Sequence, residues 1–251
     1  MKTMIPQVIH YCWFGRNPLP ASALKFIESW RKHFPGYEIK EWNEDNFDVN
    51  AIAYTRDAYA ARKYAFVSDY ARFWILYHHG GVYFDTDVEV IRPMDDIIAR
   101  GAYMGFELDN VKSTDSVLSI NPGLGLGVEK GNAVYAEILR GFEQLNFYNP
   151  NGSRNNFTMI PMVTKMMQDK GLVLKDEMQT IEGITIYPNE YFNPFDDITG
   201  VLRKTANTRC IHWYAKTWTD GNSRWKVNAK RLLRRIFGTR TTKLLKGLMG
   251  G

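Results

Sequence analysis

Two aspartates separated by one residue, Asp85 and Asp87, follow a short apolar segment at residues 82–84. In an extended chain, side chains two positions apart point to the same face, so both carboxylates can reach one point. Two carboxylates at the end of a strand supply the hard oxygen ligands that Mg²⁺ and Mn²⁺ prefer, and such a cation can carry a diphosphate. A short acidic turn is the alternative. The preceding Gly-Gly-Val-Tyr-Phe favours a ligand site, because ligands of open α/β sheets bind beyond the carboxyl ends of strands.

Asp69 and Arg72 form a second pair. Apolar side chains recur with helical spacing over residues 65–79, and positions three apart on a helix lie on one face. The pair is either an exposed ion pair, which contributes a few tenths of a kcal/mol, or a fixed hydrogen-bonding pair that binds sugar hydroxyls. The sequence leaves both interpretations open.

Aromatic and basic side chains near the two ends of the sequence are further candidates. Trp13 ends the first predicted strand and either stacks on a base or packs in the core. His212 is either a core histidine or an imidazole ligand beside the carboxylates. Trp218 either packs in the core or donates its indole N–H to a phosphate. Lys216 either offsets diphosphate charge or is solvated.

Strands and helices must alternate to position these residues. We predict strands at residues 8–13, 37–42, 82–84 and 88–91, and helices at 21–34, 54–62 and 65–79. This alternation predicts an α/β fold with a mostly parallel central sheet flanked by helices. Later in the chain we expect strands at 102–106, 184–187 and 208–214, helices at 133–145 and 161–170, and a glycine-rich segment at 121–131.

Composition narrows the class of protein. The 251 residues are 45% hydrophobic and 24% charged, which is ordinary for a globular domain. Two cysteines exclude a disulfide framework and a Cys-rich zinc site, and they favour a reducing cytoplasm. We expect no secretory signal at the start of the sequence and no spanning helix, because no apolar run reaches about 18 residues.

Charge divides the sequence into two parts. The net charge is +5, but nine cations and no acidic residue follow residue 220, so residues 1–220 hold 23 basic and 27 acidic side chains. We therefore predict a globular domain at 1–220 and a basic amphipathic helical tail at 221–251. The tail is either an interfacial helix on the inner membrane leaflet or a cap on the body. The acidic body argues against nucleic acid as a partner.

Three segments together resemble a known family. IPQVIHYCWFG at residues 5–15, AFVSDYARFWILYHHGGVYFDTDVEV at 65–90 and IHWYAKTW at 211–218 are similar to glycosyltransferase family 32, which carries a DXD sugar-binding motif. They are more distantly similar to the glucosylating toxins. The resemblance implies a GT-A fold and a retaining transfer of sugar from a nucleotide sugar, with Mn²⁺ or Mg²⁺ as cofactor. We expect a UDP-sugar as the donor, with GDP-mannose, which some relatives use, as the alternative.

The resemblance also implies a donor site. Trp13 matches the aromatic residue that stacks on the base. Ser68, Asp69 and Arg72 form the Ser-Asp-x-x-Arg pattern that holds the donor sugar, and Tyr83 matches a residue beside the nucleotide.

Diphosphate and metal ligands are implied in the same way. Asp85 and Asp87 match the pair that serves the metal, the ribose and the diphosphate, with Asp87 as the direct ligand. His212 matches a histidine that completes the metal shell. Trp218 matches a tryptophan that donates to the diphosphate, with Thr217 beside it; Lys216-Thr217-Trp218 stands where the family usually has Gly-Ser-Trp.

The acceptor and the biological context follow less directly. Glu107, Asp109 and Asn121 lie on segments that we expect to border the acceptor, and no nucleophile is chosen among them. The expected acceptor is a glycan, free or lipid-linked, in capsule, lipopolysaccharide or other surface polysaccharide synthesis. Two alternatives stay open: a haloacid-dehalogenase-like magnesium phosphatase, although Glu89 stands where that family has Thr or Val, and a non-catalytic protein that binds membrane or nucleic acid.

Overall fold

The computed structural model describes residues 4–109, 117–155 and 158–215. Within these ranges the chain forms twelve strands and seven helices. In chain order they are β1 (Val8–Cys12), α1 (Ala21–His33), β2 (Glu38–Trp42), α2 (Ala53–Ala60), α3 (Tyr64–His79), β3 (Gly81–Tyr83), β4 (Val88–Val90), α4 (Asp95–Ile98), β5 (Tyr103–Asp109), β6 (Val117–Ile120), β7 (Leu126–Val128), α5 (Ala133–Glu143), α6 (Met159–Asp169), β8 (Gln179–Ile181), β9 (Ile184–Tyr187), α7 (Asn189–Phe192), β10 (Phe195–Asp196), β11 (Val201–Leu202) and β12 (Cys210–His212).

The central sheet has the strand order β2-β1-β3-β7-β5-β9-β8, with β6 paired to β5. β1 pairs parallel with β2 and β3, β5 pairs parallel with β9, and β7 runs antiparallel between β3 and β5. Within that order, five of the seven strands therefore point the same way. This confirms the predicted α/β fold with a mostly parallel sheet and flanking helices.

Helix α3 leads directly into β3 through two glycines. Gly80 and Gly81 have φ values of 65° and 107°, which L side chains rarely adopt. A Cβ on Gly81 would also lie 2.7 Å from the carbonyl oxygen of Val8, so the turn requires glycine there. The turn returns the chain beside β1, where Val82 pairs with Ile9. As a result, the residues after β3 emerge at the carboxyl ends of the neighbouring parallel strands.

A buried histidine supports that turn from β1. His10 donates from Nε2 to the carbonyl oxygen of Gly80 at 2.9 Å, and its Nδ1 accepts the indole N–H of Trp42 at 3.0 Å. Burial lowers the pKa of His10 to about 4. The imidazole is therefore neutral, and it joins β1 to β2 and to the end of α3.

Two groups of apolar side chains enclose the sheet. The larger joins α2, α3, α5 and α6, with Phe73 stacked edge-on against Tyr135 at 5.4 Å. The smaller lies under α1, where the Trp30 indole donates to the carbonyl of Val88 at 2.8 Å. That bond fixes β4, which pairs antiparallel with β12 in a separate two-stranded sheet.

Most of the predicted helices and strands are present, with ends that differ by at most three residues. Strands β6, β8, β10 and β11 were not predicted from the sequence, and β7 lies inside the segment predicted only as glycine-rich. In the ranges that the structure describes, no helix has both the length and the apolar character needed to cross a bilayer.

Candidate functional site

Asp85, Asp87 and His212 form a cluster of potential metal ligands. One donor atom from each of the three side chains lies within 4.8 Å of the other two. Asp85 and Asp87 follow β3, as predicted, and the antiparallel register of β12 with β4 pairs His212 with Val88. That pairing places the histidine beside Asp87, 125 positions away in the sequence. All three side chains are mostly buried.

Asp87 is held by the segment that contains His212. Its Oδ1 lies 3.1 Å from His212 Nε2, its Oδ2 accepts the backbone N–H of Ala215 at 2.9 Å, and its carbonyl accepts the N–H of Trp213 at 2.9 Å. Burial alone would raise the pKa of the Asp87 carboxyl, but His212 and the backbone N–H of Ala215 hold it below its usual value. Burial likewise opposes protonation of His212, yet the charge of Asp87 raises its pKa to about 9.

Arg72 joins Asp85 to Asp69. Its guanidinium group is 3% exposed and lies 3.1 Å from Asp69 Oδ1 and 3.2 Å from Asp85 Oδ1. Nε donates to the carbonyl of Ser68 at 3.1 Å. The interpretation of Asp69 and Arg72 as an exposed ion pair is therefore wrong: helix α3 turns both toward the end of β3, and Arg72 bridges two carboxylates.

Burial dominates the electrostatics of this bridge. It raises the pKa of Asp69 to about 6, although Arg72 acts in the opposite direction. Burial also raises the pKa of Asp85, with Arg72 and His212 partly offsetting it. The Tyr83 hydroxyl donates to Asp85 Oδ1 at 3.0 Å. The Tyr83 ring packs against the guanidinium of Arg72, with Cζ 5.0 Å from the ring centroid. These contacts orient Asp85 toward the cluster.

The cluster fits a divalent cation. Asp85 and Asp87 provide carboxylate oxygens, and His212 provides an imidazole nitrogen, a set that suits Mg²⁺ or Mn²⁺. In the part of the chain that the structure describes, Nδ1 of His212 is buried and has no hydrogen-bond partner. These three residues would hold the cation.

A second polar group lies beside the cluster. Glu107 on β5 accepts hydrogen bonds from the Asn121 side chain at 3.0 Å and from the hydroxyl of Tyr214. The Tyr214 ring lies 4.1 Å from the His212 ring. Glu107 and Asn121, predicted to border the acceptor, are thus brought together; that acceptor role stays a prediction.

Tyr214 and Ala215 are the site residues that the sequence analysis missed. The predicted strand at 208–214 would place residue 214 on the same face as His212. In the structure β12 ends at His212, and Tyr214 reaches the imidazole from the turn that follows. The backbone N–H of Ala215 had no signal in the sequence.

Trp13 lines a cavity at the carboxyl ends of β1 and β2. The cavity has a volume of about 400 Å³, and its walls are Trp13, Arg16, Asn17, Pro18, Glu41, Asn43 and Glu44. The Trp13 indole donates to the carbonyl of Asn17 at 2.6 Å. Trp13 is partly buried: it packs against the apolar group under α1 and also lines this cavity, so both the core and the base-stacking interpretations stay open. Ser68, in contrast, donates its hydroxyl to the carbonyl of Tyr64 within α3, at 3.2 Å.

Several predicted features lie outside the described residues. Lys216, Thr217 and Trp218 are among them, as is the basic tail at 221–251. Asp109 ends β5, but its side chain is not described. Their roles, and the division of the chain at residue 220, stay predictions.

The fold places the acidic pair at the end of a central strand. The sheet presents Asp85 and Asp87 after β3, and the buried Arg72 joins Asp85 to Asp69. Residues 20–103 match the family described as "Glycosyltransferase sugar-binding region containing DXD motif". This match confirms the resemblance inferred from the sequence.

The chain is also similar to curated proteins that are named as sugar transferases. The chain is 29% identical over 111 residues to inositol phosphoceramide mannosyltransferase 1 of Schizosaccharomyces pombe, covering 40% of this chain and 33% of that protein. It is 30% identical over 118 residues to an uncharacterized glycosyltransferase of Acanthamoeba polyphaga mimivirus, covering 43% and 46%. The solved PaToxG glycosyltransferase aligns with a TM-score of 0.41 at 19% identity, covering 54% and 59%. The chain spans less than half the length of either curated relative.

Proposed function

We propose that this protein is a metal-dependent glycosyltransferase that uses a nucleotide sugar. The observation that carries the proposal is the cluster of Asp85, Asp87 and His212, with Arg72 joining Asp85 to Asp69. Asp69, Arg72, Asp85 and Asp87 all lie within the region that matches the sugar-binding family. The curated relatives, named as a mannosyltransferase and a glycosyltransferase, support transfer of a sugar.

In this proposal, the base and the diphosphate of the donor bind at the ends of neighbouring strands. The cavity beside Trp13 lies at the ends of β1 and β2, and the acidic cluster follows β3, which pairs with β1. A base in the cavity would lie against the indole of Trp13, and the diphosphate would extend toward Asp85 and Asp87. We propose a uridine diphosphate sugar as the donor.

Each residue has a defined task in the reaction. A bound divalent cation would neutralise the charge that develops on the nucleoside diphosphate as it leaves. Asp69 and Arg72 would hydrogen-bond the hydroxyls of the donor sugar, because both are rigidly placed by α3 and by their mutual contact. Tyr83 and Arg72 would keep Asp85 oriented. We propose that the anomeric configuration is retained, as the family resemblance implies.

The biological setting is part of the same proposal. We propose a glycan or lipid-linked glycan of the cell surface as acceptor, a cytoplasmic location, and contact of the basic tail with the inner leaflet. Apolar residues mixed with nine cations after residue 220 support the proposed membrane contact. Co-sedimentation with anionic liposomes should be lost when the chain ends at residue 221; equal binding of both forms would contradict the membrane contact.

A thermal-shift screen tests the donor. Nucleotide sugars should raise the melting temperature only when Mn²⁺ is present, since only ligands of the native state stabilise it. The stabilising donor should then release a nucleoside diphosphate in a turnover assay. Asp87→Asn should lower that release at least about a hundredfold by weakening the cation site. Asp169→Asn, at an exposed ion pair on α6, is the matched control and should retain activity.

The assay also separates the phosphatase alternative. A phosphatase would release inorganic phosphate from small esters with Mg²⁺ and would not depend on a nucleotide sugar. The comparisons do not favour that alternative. The phosphatase family has Thr or Val at the position of Glu89, and here the Glu89 carboxylate accepts the indole N–H of Trp213 at 2.8 Å. Phosphate release without sugar transfer would refute the proposed function.

A further inference from the structure

Tyr214 adopts a backbone conformation that is unusual for its type. Its φ is +48°, in the left-handed region that bulky L residues seldom occupy. Such a conformation persists only where surrounding contacts hold it. The contacts here are a hydrogen bond from the Tyr214 hydroxyl to Glu107, an approach of 3.2 Å to Asn193 Oδ1, and the face of His212 at 4.1 Å.

The residues on either side of Tyr214 contact Asp87. His212 lies two positions earlier, with Nε2 at 3.1 Å from the carboxylate, and Ala215 follows immediately, with its N–H at 2.9 Å. A turn with a positive φ at residue 214 is what allows both contacts to be made from one short segment. The position of Tyr214 therefore fixes two of the groups that surround Asp87.

Glu107 extends the connection to the opposite side of the cluster. Its second oxygen accepts from Asn121, and Asn121 Oδ1 accepts the backbone N–H of Gly123 at 2.7 Å. Gly123 lies directly against Asp85, since a Cβ there would be 2.5 Å from Oδ2. Glu107 thus links the segments that flank Asp85 and His212.

We propose that Tyr214 and Glu107 are positioning residues that preorganise the cation site. They do not coordinate the cation; the hydroxyl-to-carboxylate bond holds His212 and Ala215 against Asp87, and Glu107 also holds the turn against Asp85. The proposal rests on the metal dependence in the proposed function. Partners that orient metal ligands in this way affect metal affinity by about 10- to 100-fold when they are removed.

Mn²⁺ binding to the full-length chain tests the proposal. The signal of free Mn²⁺ in electron paramagnetic resonance measures its dissociation constant without any sugar donor. Tyr214→Phe keeps the ring on His212 and removes only the hydroxyl, and it should weaken Mn²⁺ binding about 10- to 100-fold. Glu107→Gln can accept from only one of its two donors and should weaken binding as well. Tyr135→Phe removes a buried hydroxyl that has no hydrogen-bond partner among the described residues, and it should bind as wild type does.

Melting temperatures in chelator separate positioning from folding. Tyr214→Phe should melt within a few degrees of wild type without metal, and excess Mn²⁺ should restore the stabilisation that wild type shows. Unchanged Mn²⁺ affinity in Tyr214→Phe refutes the positioning role, as does a loss of metal-free stability that accounts for the weaker binding. Failure of wild type itself to bind Mn²⁺ refutes the metal dependence of the proposed function instead.

Discussion

Gly123 offers a direct test of the proposed cation site, because the space beside it is limited by the carboxylate of Asp85. Its backbone is outside the left-handed region, so alanine introduces no backbone strain. The new Cβ would lie 2.5 Å from Asp85 Oδ2 and 3.1 Å from Asn121 Oδ1, whereas ordinary contacts begin near 3.4 Å. The Gly123→Ala change therefore forces the carboxylate and the turn about 0.9 Å apart.

The size of the effect follows from what resists that movement. Asp85 is held by Arg72 at 3.2 Å and by the hydroxyl of Tyr83 at 3.0 Å, so it cannot retreat without losing hydrogen bonds. Overpacking of this kind costs about 1–3 kcal/mol. If that cost falls on the metal-bound arrangement, the dissociation constant of Mn²⁺ increases about 5- to 150-fold, because 1.4 kcal/mol corresponds to a factor of ten.

Calorimetric titration with Mn²⁺ measures this change, with melting in chelator to report the metal-free fold. Gly141→Ala on α5 is the control, because its Cβ would meet only the flexible side chain of Met162 on α6, at 3.1 Å. It should leave Mn²⁺ affinity unchanged. A Gly123→Ala protein that binds Mn²⁺ within twofold of wild type, with unchanged metal-free stability, would show that Asp85 does not depend on this close packing.

Two further predictions concern buried charge. Arg72→Met removes the positive charge between Asp69 and Asp85, so it should destabilise the metal-free protein by about 3–5 kcal/mol in denaturant unfolding, and saturating Mn²⁺ should recover part of that loss; an unchanged stability would contradict the bridging role. His10 has a pKa of about 4 in the folded chain against 6.5 when unfolded, so the unfolded chain binds the proton more readily. Its contribution to stability is therefore complete above pH 6.5 and decreases by up to about 3 kcal/mol as the pH falls to 4. His10→Gln should flatten the stability profile of that interval relative to wild type, and parallel profiles would refute this assignment.

Local sequence determined the main elements and the key acidic motif. Helical spacing of apolar residues predicted α3, and the paired glycines that follow it mark its end. These signals depend on side chains and backbone angles within a few residues of each other, so they can be identified without the fold. For the same reason, Asp85 and Asp87 could be placed at the end of a buried strand.

The partners of these residues were decided by tertiary structure. The pairing of β12 with β4 brings His212 to Asp87, and burial makes Arg72 a bridge where its spacing allowed an exposed ion pair. Strands as short as β10 and β11, of two residues each, carry too little local pattern to be predicted, because strand formation depends on what packs across the sheet. The contact of Tyr214 with Glu107 joins positions 107 residues apart. Such contacts follow from which strands pair and which faces are buried, and local sequence does not encode them.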